Sequence, residues 1–265
     1  MTIKVNNTDI RIRPSAINSF FSCAYQWGKY HLEGIPSTSG GRAAIGTSIH
    51  AGVEQLWNEA IASNKKEANI SAMTDAAMEA WKEEKAKGIK LDDGETDGTA
   101  AVEIVRGLES FSEDIMPFSK IPVAVEQFYK VDIEHPIVSE IGGTIDYITG
   151  DTIADVKTSK RKINANSHST QQSIYKYLAQ ANGVPIEHNL IQGVVLKKTG
   201  AEGSVLTLDS NIDEAKARVN IMLDTLELIA SDKAPIDLIL RPNPGHYLCS
   251  AKFCDLYPCQ AIKEL

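Results

Sequence analysis

The chain has 265 residues, 43% of them hydrophobic and 23% charged, and a formal net charge of −8. Such a length and mix fit an ordinary soluble globular protein with a large single core, or one core with a decorated periphery. No apolar run approaches the ~18 residues of a membrane span, and the start, MTIKVNNTDIRIRP, lacks the apolar stretch of a secretion signal. The expectation is a cytoplasmic protein with reduced thiols and no membrane partner. The acidic surplus argues against non-specific coating of nucleic acid, which needs a positive overall field. Local basic contacts remain open: Lys157, Lys160, Arg161 and Lys162 form one cluster, and Lys197 with Lys198 another. A short charge run is more often a solvated face.

In chain order, Pro14 and Ser15 open a helix over 15–32, with Ile17, Phe20, Phe21 and Tyr25 near helical spacing. Small residues from Gly34 to Gly41 end it. A second helix spans 43–63, with Ile45, Ile49, Val53, Leu56 and Trp57 on its apolar side. Helical stretches near 70–87 and 97–115 follow, separated by the acidic loop LDDGETDG. Residues 121–133 read as a strand, 141–158 as a hairpin, 169–181 as a helix, and 188–198 and 203–208 as strands. A long amphipathic helix over 211–230 precedes a loop-rich end. This order predicts an α/β core on a mixed sheet. Residues 1–265 read as one domain: a helical part (1–118), an α/β core (119–210), and a helix with a cysteine-rich end (211–265).

The most informative stretch is GTIDYITGDTIADVKTSK, residues 143–160. It sets Asp146 on one strand and Asp155 with Lys157 on the next, around the turn Thr149-Gly150-Asp151. Strand side chains alternate, so Asp155 and Lys157 share a face. Two carboxylates and an ammonium so placed can hold a divalent cation and a water beside a phosphate. A surface hairpin with a cross-strand salt bridge is the bland alternative, and it would win for a lone Asp-x-Lys.

Three further features bear on that choice. His50, in GTSIH, can ligate a metal through one ring nitrogen, although a lone helical histidine is more often structural. Glu54 lies one turn on and is more often simply solvated. Glu126, an acid among Val123, Val125 and Phe128, faces either the same cleft or solvent, with nothing to separate the two readings. Gln171 and Tyr175 lie four apart and share a helical face, where an amide and a phenol can bind a phosphate or a water. A buried tyrosine beside a polar helix start explains them equally well.

The four cysteines are Cys23, Cys249, Cys254 and Cys259, three of them packed in HYLCSAKFCDLYPCQ and one over two hundred residues upstream. Structural cysteines would scatter through a core, and a reducing compartment disfavours disulfides. A tetrathiolate site fits better, as zinc or as a [4Fe–4S] cluster. Zinc usually takes two C-x₂₋₄-C pairs, which a one-plus-three layout does not supply.

Together the G-x-x-x-H of His50, the G-x-I-D of Asp146, the D-x-K of Asp155 and Lys157, and the Q-x-x-x-Y of Gln171 and Tyr175 resemble RecB-like nucleases of the PD-(D/E)XK superfamily, in order and rough spacing. The opening RPSAINSFFSCAYQW is similar to the start of many RecB-like exonucleases. The resemblance covers nearly the whole chain through short motifs, each weak singly. It implies a restriction-endonuclease-like mixed sheet flanked by helices, and Mg²⁺- or Mn²⁺-dependent cleavage of DNA phosphodiesters. The implied ligands are His50, Asp146, Asp155 and the backbone carbonyl of Val156, with Lys157 as catalytic lysine and Glu126 as a possible additional acid. A lysine beside two carboxylates keeps its charge, so Lys157 is expected to orient water and stabilise developing charge.

The one-plus-three cysteine layout is also that of the iron–sulfur branch, which includes CRISPR-associated and AddB-type nucleases. There a [4Fe–4S] cluster staples the C-terminus to the first helix. This chain spaces its last three cysteines C-x₄-C-x₄-C, where C-x₂-C-x₅-C is common in that branch. The implied partner is DNA, single-stranded or with free ends, in a bacterial cell or a phage-infected host. Three readings stay open: a stand-alone exonuclease, a nuclease subunit of a recombination or CRISPR-adaptation complex, and a non-catalytic DNA-end-binding protein. No G-x-x-x-x-G-K-[ST] motif occurs, so any helicase motor belongs to another chain.

Overall fold

The computed structural model describes residues 5–6, 9–233, 235–251 and 253–259. The chain folds in the order β1 (Ile10–Ile12), α1 (Pro14–Ser22), α2 (Ala24–His31), β2 (Ser39–Gly40), α3 (Gly41–Ser63), α4 (Ile70–Lys87), β3 (Ile89–Lys90) and α5 (Asp97–Ser110). It continues as β4 (Ala124–Asp132), β5 (Val138–Thr149), β6 (Thr152–Ser159), α6 (Ser169–Ala181), β7 (His188–Lys197), β8 (Gly200–Leu208), α7 (Ile212–Ala230) and a short α8 (Ile236–Ile239).

Six strands make one mixed sheet in the order β1-β5-β6-β7-β8, with β4 paired to β5. The β1–β5 and β6–β7 pairs are parallel and the others antiparallel. Helices cover both faces. On one, Ile17, Phe20, Trp27, Leu178 and Leu226 pack on Ile145, Ile148 and Ile153. On the other, Ile49, Trp57, Met73, Trp81 and Leu108 pack on Tyr147, Ala154 and Val156. This is the helix-flanked mixed sheet that the sequence predicts. No helix among the described residues is long and apolar enough to cross a membrane.

Local patterns account for the layers. Helix α4 buries only Met73, Ala77 and Trp81, one stripe at intervals of four, so it lies outermost. Helix α3 buries Ile45, Ile49, Gly52, Val53, Leu56 and Trp57 around a wider arc, because it lies between the sheet and α4 with α5. Gly52 sets that spacing. A Cβ there would stand 2.6 Å from Leu108 Cδ2 and 2.8 Å from the Met73 backbone oxygen. Gly52→Ala gains about 1 kcal/mol in helix propensity but meets a backbone atom that cannot step aside, an overpacking cost of about 1–3 kcal/mol. The expected net result is a melting temperature lowered by a few degrees; an unchanged or higher one would show that α3 and α4 can separate freely.

Three elements differ from the sequence reading. The helix expected over 15–32 breaks at Cys23, which is extended at φ −158° and ψ 93°. The break is matched by outside partners: Asn243 Nδ2 donates to the Ser22 carbonyl at 3.0 Å, and the Tyr25 N–H donates to the Arg241 carbonyl at 3.2 Å. Strand β1 is too short to show in a pattern; Ile10 and Ile12 are buried, and Arg11 between them pairs with Glu140. The helix expected to reach residue 115 changes at Phe111–Ile115 into a π turn. There the Asp114 carboxylate accepts from the Gly203 N–H at 2.8 Å and from the Ser110 hydroxyl at 3.0 Å.

Candidate active site

The site begins where two strands part. The β5–β6 ladder pairs Thr149 with Thr152, Ile148 with Ile153 and Tyr147 with Ala154, and then stops. The next pair would be Asp146 and Asp155. Instead, Asp146 Oδ2 takes the Val156 N–H at 2.7 Å, so a side chain replaces the missing ladder bond. Side-chain alternation slips at the same place: Ile141 and Ile145 face one core, then Tyr147 faces the other and Ile148 returns to the first. Across on β4, Glu126 lies in the register gap between Val125 and Gln127 and has φ +49°. A left-handed non-glycine residue stores strain of about 1–3 kcal/mol, and such residues gather at functional sites.

Helix α3 brings the histidine. Gly46 packs directly on β6, where an added Cβ would stand 2.8 Å from Thr158 Oγ1. His50, one turn later, reaches the opening with Nδ1 3.4 Å from Asp146 Oδ2. The G-x-x-x-H spacing is therefore a docking glycine followed by the residue it delivers. Ligand atoms of His50, Glu126 and Asp146 all lie within 4.8 Å of one another. Of the two readings of Glu126, the structure takes the one that faces the cleft.

Asp155 and Lys157 share a face as expected and pair at 2.7 Å. Asp155 is 2% exposed. Burial, and then the charge of Asp146, push its pKa up to about 6 against the pull of Lys157. The surrounding protein, and then Asp146, Glu54 and Asp155, push Glu126 up to about 7, although its side chain is open to solvent on one side. Gln171 Nε2 donates to Tyr175 Oη at 3.4 Å. Burial holds the Tyr175 phenol above its ordinary range against that Gln171 bond, with Asp155, Asp146 and Glu126 adding to the rise. Tyr175 thus stays protonated, a donor beside three carboxylates.

A cleft of about 760 Å³ is lined by His50, Glu54, Glu126, Asp146, Val156 and Lys157, while Gln171 and Tyr175 are not among its lining residues. Asp155 lies buried beside it. Glu54, Glu126, Asp146 and Asp155 face one lysine and one histidine, a surplus of hard oxygen donors that suits a divalent cation.

The sequence profile of the PD-(D/E)XK nuclease superfamily matches residues 11–256. The chain belongs to this superfamily. Its fold is similar to the crystal structure of a "Putative exonuclease" from Eubacterium rectale, with a TM-score of 0.58 at 11% identity, over 84% of this chain and 82% of that one. A solved structure named SSO0001 aligns over 85% of this chain and 96% of its own, at 13% identity and a TM-score of only 0.32. No curated protein matches.

This PD-(D/E)XK chain also gathers its four cysteines. Cys23, Cys249, Cys254 and Cys259 line one cavity of about 140 Å³ between α1, α2 and the C-terminal segment. No disulfide joins them. Burial, and then Cys23 and Cys254, raise the Cys249 thiol pKa, and Gln26 Nε2 donates to Cys254 Sγ at 3.4 Å. Two residues near the candidate catalytic cleft were not singled out from the sequence. Arg42 lines its mouth and is held by Glu95 and Glu103. His168 lies near Lys157, and burial, with the charge of Lys157, holds it below the usual histidine range. Neither carries a local motif, so only the fold reveals them.

Proposed function

We propose that this protein is a Mg²⁺- or Mn²⁺-dependent DNA exonuclease acting in recombination, repair or DNA degradation. Its substrate is single-stranded DNA or DNA with free ends. The observation that carries the reading is the meeting of His50, Glu126 and Asp146 at the point where β5 and β6 separate, next to the Asp155–Lys157 pair. In the proposed site His50, Asp146, Asp155 and the Val156 carbonyl hold the cation, with Glu126 as an additional acid. When bound, such a cation lowers the pKa of a coordinated water and polarises the phosphoryl oxygen. Lys157, fixed by Asp155, orients the attacking water and offsets charge on the phosphorane-like transition state. The Tyr175 phenol and the Gln171 amide donate hydrogen bonds to a phosphate oxygen or to that water.

The thiol cavity is the proposed seat of a [4Fe–4S] cluster that joins the N-terminal helices to the C-terminal segment, with structural zinc as the alternative. The one-plus-three cysteine layout, unlike the two C-x₂₋₄-C pairs usual for zinc, supports the cluster.

The direct test is to incubate anaerobically purified protein with end-labelled single- and double-stranded DNA, with and without Mn²⁺. Cleavage only with metal is expected; no cleavage, or cleavage in excess chelator, overturns the reading. Because the net charge is −8, binding should also show a shallow salt slope set by a few contacts.

The crowded carboxylates give a pH signature in metal-free protein. Glu126 at about 7, from an ordinary 4.5, binds its proton more tightly folded than unfolded. Its contribution to stability is therefore full below about 4.5 and is lost as pH rises through about 7. Asp155, raised to about 6, acts in the same sense. The melting temperature should fall from pH 5 to pH 7.5, and Glu126→Gln should flatten that fall. An equally steep fall in Glu126→Gln would remove Glu126 from the account.

A further inference from the structure

The two basic clusters of the sequence find their place outside the catalytic cleft. Arg42 lines both that cleft and a second one of about 580 Å³, whose lining includes Lys90, Asp93, Glu103 and Lys160. Thr99 and Glu103 carry the second cleft into a third, of about 570 Å³, formed by α5 against the β7–β8 hairpin and lined by Arg106, Lys197 and Lys198. The three clefts thus adjoin, sharing Arg42, Thr99 and Glu103 between Lys157 and Lys198.

Charge pairing along this track is uneven. Arg42 is taken up by Glu95 and Glu103, and Lys197 by Glu202. The single guanidinium offsets one of the two lining carboxylates it bridges, and Glu202 lies outside the lining. Lys160, Arg106 and Lys198 form no ion pair among the described residues; Arg106 only donates to the Lys198 backbone carbonyl, at 3.1 Å. Lys160 and Lys198 are exposed. Across the two clefts six cations, Arg42, Lys90, Lys160, Arg106, Lys197 and Lys198, face four carboxylates, Asp92, Asp93, Glu95 and Glu103. This small positive excess is concentrated in the third cleft of a chain with net charge −8. The lining acids Asp92 and Asp93 stand on the exposed turn between β3 and α5. Clefts of this volume match groups of roughly drug size, about 300–1,000 Å³, the scale of one or two nucleotides of a strand.

We propose that the second and third clefts carry a single nucleic-acid strand to the catalytic cleft, with Lys160, Arg106 and Lys198 contacting its phosphates. The inference rests on the nuclease reading and adds to it the strandedness of the substrate and the path it takes. Phosphate contacts position a strand without reading sequence, so binding along the track is indifferent to base order.

The test uses full-length protein in Ca²⁺, a hard cation that oxygen ligands accept, and a fluorescent single strand or a hairpin duplex as the probe. Wild-type protein should bind the single strand more tightly than the duplex. The triple variant Lys160→Ala, Arg106→Ala, Lys198→Ala should bind the single strand at least tenfold more weakly. Its log–log salt slope should be shallower by about 2, because each phosphate that a single strand no longer has neutralised removes about 0.7. With Mn²⁺, its hydrolysis of bis(p-nitrophenyl) phosphate, too small to reach the track, should match wild type. A Lys176→Ala control should change none of these. Wild-type affinity and slope in the triple variant overturn the path while leaving the nuclease reading intact. So does equal weakening of small-substrate hydrolysis, which would place these residues in the chemistry or the folding. Equal affinity of wild-type protein for both probes overturns the single-strand assignment. Wild-type protein that binds neither probe and hydrolyses neither substrate ends both proposals.

Discussion

Asp155→Ala and Lys157→Ala should each abolish metal-dependent DNA cleavage while the protein stays folded. The two side chains pair at 2.7 Å beside the catalytic cleft, Asp155 buried and Lys157 partly exposed. Removing a metal ligand or a charge-stabilising cation costs several kcal/mol of transition-state stabilisation, about 10²- to 10⁴-fold in rate. The folded state tolerates either change for a different reason in each case. Loss of Asp155 leaves Lys157 able to turn toward water. Loss of Lys157 leaves a carboxyl whose pKa already sits at about 6, so it can take up a proton instead of standing buried and charged. Circular dichroism and melting curves should therefore resemble wild type near pH 6. Undiminished cleavage by either variant would overturn the assignment.

Cys254→Ser has the largest expected effect on stability. Wild-type protein should purify brown, with broad absorbance near ~400 nm from iron–sulfur thiolate bonds. The proposed ligation would join Cys23 to Cys259, which line one cavity, and so close a loop over most of the chain. By the chain-entropy estimate for a cross-link, so long a loop is worth about 5 kcal/mol, and ligand-binding free energy adds to it. At about 2–4 °C per kcal/mol for a chain of this size, the variant should melt about 10 °C or more below wild type. DNA binding should weaken with it. Hydrolysis of a short substrate well below the melting point should persist, because the proposed catalytic residues lie on α3, β4, β5, β6 and α6. Colourless protein with stoichiometric zinc would replace the cluster with a zinc staple. Protein with neither metal would defeat the staple.

The sheet and its helices were largely legible in the sequence because period and punctuation agreed there. The 141–158 hairpin has alternating apolar residues around a glycine that takes φ +63°. Met73, Ala77 and Trp81 mark the buried stripe of α4. What escaped was set by partners distant in sequence. Nothing near Cys23 ends a helix; Arg241 and Asn243 do, by accepting and donating the backbone bonds of the break. Strand β1 has only three residues and depends on Val138, Glu140 and Ile141 for its pairing. In the site, His50, Asp146, Asp155 and Lys157 carried local motifs. Glu126 did not, because its place depends on a left-handed backbone opposite Asp146 that no periodicity encodes. Arg42 was invisible for the same kind of reason: its partners Glu95 and Glu103 lie on other elements.

The packing of α2 against the segment around residue 240 bears on how the protein is made. Trp27 and Leu32 share a core with Leu240, and Tyr25 is bonded to Arg241. At synthesis rates of about 5–20 residues per second, the first helices leave the ribosome well before the segment that covers them exists. Their apolar faces wait until the segment around residue 240 is translated. A chain cut short before residue 240 would lack that cover, and proteases should cleave α1 and α2 faster in it than in the longer chain.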